Sequence, residues 1–299
     1  MTLSELRERG EELFREMKIT VQQHIKVEEL TKKQSSSKVW FLVRKGRIGG
    51  SSVHSVMTTD VNNPSLTSVY NVCDPLRPQK TTVWMIQGSK NEPEARKEYV
   101  DFMVNRHYNF SIQQCGAKIP VEYPFLIAST DGEVDCDCCG KGILEIKCTK
   151  FENEDEEDVP PAHYDQMQHY LLCLGPDYKY ADYVVWHVNG ATRKRVFADP
   201  ARQQQILAKT ELFSRNVVIP EPMGRYFSSL KSMFSGLSVL PRDDSISPVI
   251  CYCQKPAQPP TVKCMGKRCT FVQFHLKCVS LKTIPQKWLC LECKPSTLV

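Results

Sequence analysis

The stretch STDGEVDCDCCGKGILEIK, residues 129–147, follows the apolar run FLIA (125–128) and closes on a second one, GILEIK. Two short apolar runs separated by a polar, turn-rich segment read as a β-hairpin. That reading places Asp131 at the end of one strand, and Glu145 and Lys147 on the next. Side chains alternate across a strand, so Glu145 and Lys147 share one face while Leu144 and Ile146 enter the core on the other. Two carboxylates converging beside an ammonium repel each other unless a cation lies between them, and oxygen donors select a hard ion such as Mg²⁺ or Mn²⁺. Such an ion would polarise a phosphodiester and acidify a water, with Lys147 positioning or deprotonating that water. Cys136, Cys138 and Cys139 occupy the turn. A zinc clip there needs a fourth ligand, for which Cys115 is the sequence's candidate, and reduced thiols are the default reading.

Around this stretch lie 299 residues, enough for one medium domain and a small second one. The net charge of +5 is unevenly spread: residues 250–299 carry +7, which leaves −2 for residues 1–249. No apolar run reaches the roughly 20 residues of a membrane span, and the charged start MTLSELRERGEEL does not read as a signal peptide. A reducing compartment is expected, nuclear or cytoplasmic, where 14 cysteines speak for metal or free thiols over disulfides.

The organisation falls into four parts. Residues 1–37 form a helical N-terminal segment, with Leu3, Leu6, Leu13, Met17 and Val21 at helical spacing over residues 3–33. Residues 38–234 alternate short apolar runs with helical stretches, the pattern of an α/β or α+β domain. Within it, residues 183–213 suggest two strands and an amphipathic helix, with Trp186 and Phe197 in the core. The acidic run ENEDEED (152–158) reads as a solvated loop. Residues 235–249, SGLSVLPRDDSISPV, read as a linker, and residues 250–296 form a cysteine-rich module.

The ligand-type residues of that module run Cys251-x-Cys253, Cys264-x4-Cys269, His275-x2-Cys278 and Cys290-x2-Cys293. Seven thiols and one imidazole in paired spacing suit two tetrahedral Zn²⁺ ions. The spacing, with Trp288 two residues before Cys290, resembles the PHD finger, whose alternate pairs share a metal in a cross-brace. The resemblance implies that Cys251, Cys253, His275 and Cys278 hold one zinc, and Cys264, Cys269, Cys290 and Cys293 the other. So small a module folds on the free energy of zinc binding. Methyl-lysine readers of this family use aromatic cages, whereas this chain has Gln273 two residues before His275 and no aromatic in QKPAQPPTVK (254–263). DNA, an unmodified or acidic peptide, or the chain's own nuclease domain therefore fits better as the finger's partner, with a histone tail or other chromatin protein as a further candidate.

Asp131 followed by Glu145-x-Lys147 resembles the PD-(D/E)xK nucleases, and the surrounding blocks sharpen the resemblance. LTKKQSSSKVW (30–40), WFLVRKGRIGGS (40–51), GSKNEPEA (88–95), STDG, LEIKC (144–148) and HYDQMQHYLLCLG (163–175) stand in the order of the YqaJ/lambda-exonuclease family. The resemblance implies a mixed sheet flanked by helices and a Mg²⁺- or Mn²⁺-dependent deoxyribonuclease, 5′→3′ on linear duplex ends. It implies Glu92, Asp131 and Glu145 as metal ligands, Lys147 beside the water, and Gln166 in the active site on a helix whose Met167, Leu171 and Leu174 are buried. Glu92 reads as heading a helix, with Asn91 and Pro93 as cap and first-turn residues. Arg44 and Ser51 match residues that contact the 5′-phosphate and DNA backbone, and Lys45 and Arg47 extend that basic patch. Thr130 stands where the family has proline, and Gly49-Gly50 where it has Thr-Ala, which suggests a looser turn. DNA is the expected partner, no membrane is expected, and a homo-oligomer around DNA is a family tendency. The alternatives are a catalytically silent chromatin or DNA adaptor and a structure-selective endonuclease.

Overall fold

The computed structural model describes residues 3–75, 83–149, 158–221, 249–250, 255–256, 260–266, 273–290 and 293. The chain forms two compact units, Met1–Val239 and Leu240–Val299. The expected linker, but for Val249, and residues 152–157 of the acidic run lie outside the described residues.

The first unit opens with α1 (Leu3–Glu16) and α2 (Val21–Thr31), where the sequence suggested one helical stretch. The break has a local cause at Thr20. Its hydroxyl accepts from the Gln23 N–H at 3.2 Å, while the Gln23 side chain accepts from the Thr20 N–H at 2.9 Å, a reciprocal cap that starts a new helix. There follow α3 (Lys38–Arg44), β1 (Ile48–Gly49), α4 (Gly50–Thr58), α5 (Leu66–Cys73), α6 (Val83–Val104), β2 (Ser111–Gln113) and β3 (Leu126–Ile127). The chain continues through β4 (Gly132–Asp135), β5 (Gly142–Cys148), α7 (Pro161–Leu174), β6 (Tyr180–His187), β7 (Gly190–Phe197) and α8 (Pro200–Phe213).

Five strands make a mixed sheet in the order β2-β4-β5-β6-β7, in which β5 and β6 run parallel and every other pair is antiparallel. A parallel pair needs a crossover, and α7 supplies it between β5 and β6. All eight residues of β6 are buried, so helices cover both faces of the sheet. Ala181, Tyr183 and Val185 face a core with Val53 and Val56 of α4, Met167 and Leu171 of α7, and Ile206 and Phe213 of α8. Tyr180, Val184 and Trp186 point the other way, onto Ala95, Tyr99 and Met103 of α6. The alternation along one strand thus assigns each helix to its layer.

Three expectations need correction. The run FLIA does not form the first arm of the hairpin; its Leu126–Ile127 pairs in parallel with Ile48–Gly49, apart from the main sheet. The hairpin is β4–β5, so Asp131 stands immediately before a strand and not at the end of one. Phe197, expected in the core, is 67 % exposed because the alternation of β7 turns it outward, whereas Trp186 is buried as expected.

In the second unit Thr261–Lys263 pairs antiparallel with Gln273–His275, and Val249–Ile250 with Lys255–Pro256. Its core consists of Val262, Cys264, Phe274, Leu276 and Cys290, with Trp288 packed edge-on against Phe274 at 5.1 Å.

Candidate functional site

The hairpin and α7 bring four polar side chains of the first unit together. Beyond the last residue of β4 that pairs with β5, the Asp131 carboxylate takes over the role of a ladder partner: its Oδ2 accepts the Ile146 N–H at 2.7 Å. Glu145 lies two residues before Lys147 on β5, and its Oε1 accepts from Lys147 Nζ and from Gln166 Nε2, both at 2.6 Å. Gln166 Oε1 accepts from the same ammonium at 3.1 Å, and Gln166 Nε2 also donates to the Tyr170 hydroxyl at 3.0 Å. Asp131, Glu145, Lys147 and Gln166 therefore converge as the sequence suggested. Tyr170, one helical turn beyond Gln166 and on the same face by helical spacing, completes the network.

The other oxygen of Glu145, Oε2, is buried and has no hydrogen-bond partner. Burial and the proximity of Glu145 and Glu92 push the Asp131 carboxyl well above the usual range, against the pull of the Ile146 N–H and Lys147. Burial likewise raises Glu145, opposed chiefly by Lys147. A buried oxygen left unpaired beside a second acid is a costly arrangement that one hard cation would relieve. The donor set and the orphaned oxygen fit such an ion.

Glu92 acts on Asp131 and Glu145 through its charge from α6. Among the described residues, however, the three acids do not form a group whose donor atoms all lie within 4.8 Å, and here the sequence reading fails in detail. The helix starts at Val83, so Glu92 sits in its interior and Pro93 is inside the helix, not in its first turn. Proline inside a helix loses a backbone donor and crowds the carbonyl one turn back, and the residues of α6 that pack on the sheet, Ala95, Tyr99 and Met103, all follow it. Arg96, one turn on, lies 3.6 Å from Glu92 and donates through Nη2 to the Asp131 carbonyl. This arginine was missed, and its spacing of four from Glu92 was the available signal.

α7 also differs from the expected two-faced helix. Its residues 165–171 are all buried, because the helix runs between the sheet and the α4/α8 layer. Asp165, at 1 % exposure, accepts from Arg202 Nε and lies against His54 Nδ1, each at 2.7 Å, so its charge is paired.

The basic residues at the entrance to α4 separate. Arg44 lies 4.2 Å over the Trp40 ring and donates from Nη2 to the Ser51 hydroxyl at 3.0 Å, beside the first turn of α4. Lys45 is exposed. Arg47 donates from Nε to the Pro124 carbonyl and from Nη1 to the Val43 carbonyl, at 3.0 and 2.9 Å, and so ties α3 to the loop before β3. The glycines between them are packing requirements and not a loosened turn. A Cβ on Gly50 would lie 2.4 Å from the Tyr170 ring, and one on Gly49 3.0 Å from Arg44 Nη2.

In the second unit the sulfurs of Cys264, Cys290 and Cys293 lie within 4.8 Å of one another. Cys264 Sγ accepts the backbone N–H groups of Gly266 and Cys290, at 3.4 and 3.3 Å. His275 Nδ1 and Cys278 Sγ are 3.9 Å apart. Cys251, Cys253 and Cys269, the remaining expected ligands, lie outside the described residues.

Comparison with known proteins agrees with the fold. Residues 39–177 match the YqaJ-like viral recombinase domain. An alkaline exonuclease (LHK-Exo) from Laribacter hongkongensis shares the fold, with a TM-score of 0.52 at 24% identity over 65% of this chain and 100% of that one. The uncharacterized protein YqaJ of Bacillus subtilis is 41% identical over 68 residues, 21% of this chain and 20% of the relative. The transcriptional regulatory protein PHO23 of Saccharomyces cerevisiae is 42% identical over 53 residues, 17% of this chain and 16% of the relative. The chain thus spans a fifth or less of the length of these two curated relatives. Among the described residues no helix is long and apolar enough to cross a membrane.

Proposed function

We propose that the first unit is a divalent-metal-dependent deoxyribonuclease of the recombinase exonuclease type, acting 5′→3′ on linear duplex DNA. The observation that carries this reading is the buried, partnerless Glu145 Oε2 next to Asp131, within a network that includes Lys147 and Gln166. Mg²⁺ or Mn²⁺ held by Asp131, Glu145 and Glu92 would neutralise charge developing on the scissile phosphate and lower the pKa of a water.

The chain's own residues supply the rest. Lys147 donates to both Glu145 and Gln166, so its ammonium is held at the site and can orient the attacking water. Gln166, clamped by Tyr170, keeps Lys147 and Glu145 in one plane of contacts. Arg44, Ser51 and the start of α4 offer a guanidinium, a hydroxyl and helix N–H groups, which suits a terminal 5′-phosphate. Lys45 adds a sequence-independent phosphate contact. Arg47 serves this reading indirectly, by tying α3, which ends on Arg44, to the loop before β3. The similarity to an alkaline exonuclease and to a viral recombinase domain supports the same reading.

For the second unit we propose a PHD-type finger with two Zn²⁺, which targets the nuclease to DNA or to a chromatin protein in the nucleus. The clustered Cys264, Cys290 and Cys293 and the likeness to a transcriptional regulatory protein support it.

The test is release of nucleotides from 5′- and 3′-end-labelled linear duplex DNA with Mg²⁺ or Mn²⁺, beside Lys147→Ala and an EDTA control. Metal-dependent release by the wild type that Lys147→Ala abolishes supports the enzyme. No release from duplex, nicked or single-stranded DNA with either ion leaves the silent adaptor as the reading.

A further inference from the structure

The turn of the β4–β5 hairpin holds a second constellation. His107 Nδ1 lies 3.0 Å from Cys138 Sγ, 3.5 Å from Cys136 Sγ and 3.6 Å from Cys139 Sγ. Cys138 Sγ is 3.4 Å from Cys136 Sγ and 3.9 Å from Cys139 Sγ. All four donor atoms lie within 4.8 Å of one another. We propose that His107, Cys136, Cys138 and Cys139 form a Cys₃His zinc site that fastens the hairpin turn to the C-terminal end of α6.

The argument is one of dimensions and charge. A tetrahedral zinc with Zn–S near 2.3 Å and Zn–N near 2.0–2.1 Å sets its ligand atoms about 3.6–3.8 Å apart. The measured edges, from 3.0 to 3.9 Å, enclose a space of that size. Three thiolates and Zn²⁺ sum to a single negative charge. Arg195 Nη1 donates a charge-assisted hydrogen bond to Cys139 Sγ at 3.1 Å, which favours the thiolate form of that ligand. Arg195 is itself held by Asp182, Nε to Oδ1 at 2.7 Å and Nη2 to Oδ2 at 2.9 Å, and Asp182 also accepts from the Tyr99 hydroxyl at 2.7 Å. Such outer partners orient ligand sets at metal centres.

The backbone is shaped for the same purpose. The Gly140 N–H donates to the Cys136 carbonyl at 2.8 Å, and Gly140 takes a φ of +70° that a glycine tolerates at this turn. The Asp137 N–H donates to the Tyr108 carbonyl at 3.1 Å, and Asn109 Nδ2 donates to Asp137 Oδ2 at 2.6 Å, so the turn is stitched to the segment after α6 at the residue between Cys136 and Cys138. Cys115, the sequence's candidate for the fourth ligand, lies elsewhere, grouped with Glu28 and Glu133. The ligand is His107, 29 residues before Cys136 and unremarkable in sequence.

The site's place gives it a role. α6 carries Glu92 and Arg96, and the hairpin carries Asp131 and Glu145. From Asp131 to Asp135 the strand advances about 13 Å, so the zinc stands away from the carboxylates and acts on the register between helix and hairpin. It is a structural clamp.

Zinc content and thiol protection test the proposal, and neither depends on nuclease activity. Full-length wild type, His107→Ala with Cys138→Ser, and His107→Cys are purified without added metal and assayed for zinc and iron per chain, with circular dichroism as a check on folding. The double variant loses one zinc relative to wild type, and His107→Cys, which keeps four ligands, retains it. Native wild type resists iodoacetamide at Cys138, although that residue is exposed, until a chelator is added. Equal zinc in wild type and a folded double variant, or Cys138 alkylated in untreated wild type at the rate of an open thiol, overturns the site. Iron in place of zinc overturns the assignment of the metal.

Discussion

The two ends of the β4–β5 hairpin gather donors of opposite character. One end presents Asp131, Glu145 and Lys147, hard oxygens with an ammonium already bound and one buried oxygen unpartnered. The other presents three sulfurs and an imidazole, with a guanidinium hydrogen-bonded to one of the sulfurs. The contrast teaches where each end spends its free energy. The oxygen end keeps repulsion in reserve for a cation and a phosphate, whereas the sulfur end is arranged for a permanent ion that holds helix and hairpin together.

The sharpest way to break this comparison is at Lys147. Lys147→Ala is expected to slow DNA hydrolysis by roughly 10²–10⁴-fold, the range for a lost proton-handling group, with little change in the thermal midpoint. Single-turnover kinetics beside a melting curve check both halves. A comparable loss of stability with retained hydrolysis would place Lys147 in the scaffold.

A smaller effect concerns the packing behind the oxygen end. Gly50→Ala puts a methyl 2.4 Å from the Tyr170 ring, which anchors Gln166. Overpacking of this kind costs about 1–3 kcal/mol, read from denaturant unfolding, and is expected to lower hydrolysis as Gln166 shifts.

His169 gives a pH test in the same layer. It is fully buried, its Nε2 bonded to the Ile127 carbonyl at 3.1 Å, and burial pushes its pKa down to about 4 from 6.5. The folded state therefore binds fewer protons than the unfolded one between these values. Stability present above pH 6.5 is lost as pH falls toward 4, by up to about 3 kcal/mol. His169→Gln, which can keep the bond to the carbonyl, should flatten that slope, and an unchanged slope assigns the proton uptake elsewhere.

The smallest effect has the opposite sign. Asp131→Asn retains an oxygen for the Ile146 N–H while removing the charge that faces Glu145 and Glu92. It is expected to abolish hydrolysis and to raise stability in metal-free buffer by about 1 kcal/mol. A destabilised variant would show that the acids are compensated without a metal.

Much of this was legible because it depends on local periodicity. The two-residue alternation of GILEIK put Glu145 and Lys147 on one face, and the structure keeps them there. The strands of residues 183–213 followed from the same period, although Phe197 shows that the outward-facing phase of an edge strand cannot be told from its apolar character alone. The start of α6 was misplaced because Asn91 and Pro93 look like a cap, whereas the helix already runs from Val83 through both of them. Cys136, Cys138 and Cys139 were visible, but their partner His107 was not, since it lies 29 positions before the first of them, with β2, β3 and β4 between. Arg47 read as one more phosphate contact, and only its carbonyl partners reveal a tie between α3 and the loop before β3. Spacing within an element survives in the sequence; pairing between elements does not.

The central claim is that Asp131 and Glu145 are buried together in order to hold a hard cation. Titration of the full chain with Mn²⁺, followed by the loss of the free-ion electron paramagnetic resonance signal, tests it most directly. Binding by wild type that is strongly weakened in Asp131→Asn and in Glu145→Gln is the predicted result. Mn²⁺ binding that is equal in wild type and both variants would contradict it.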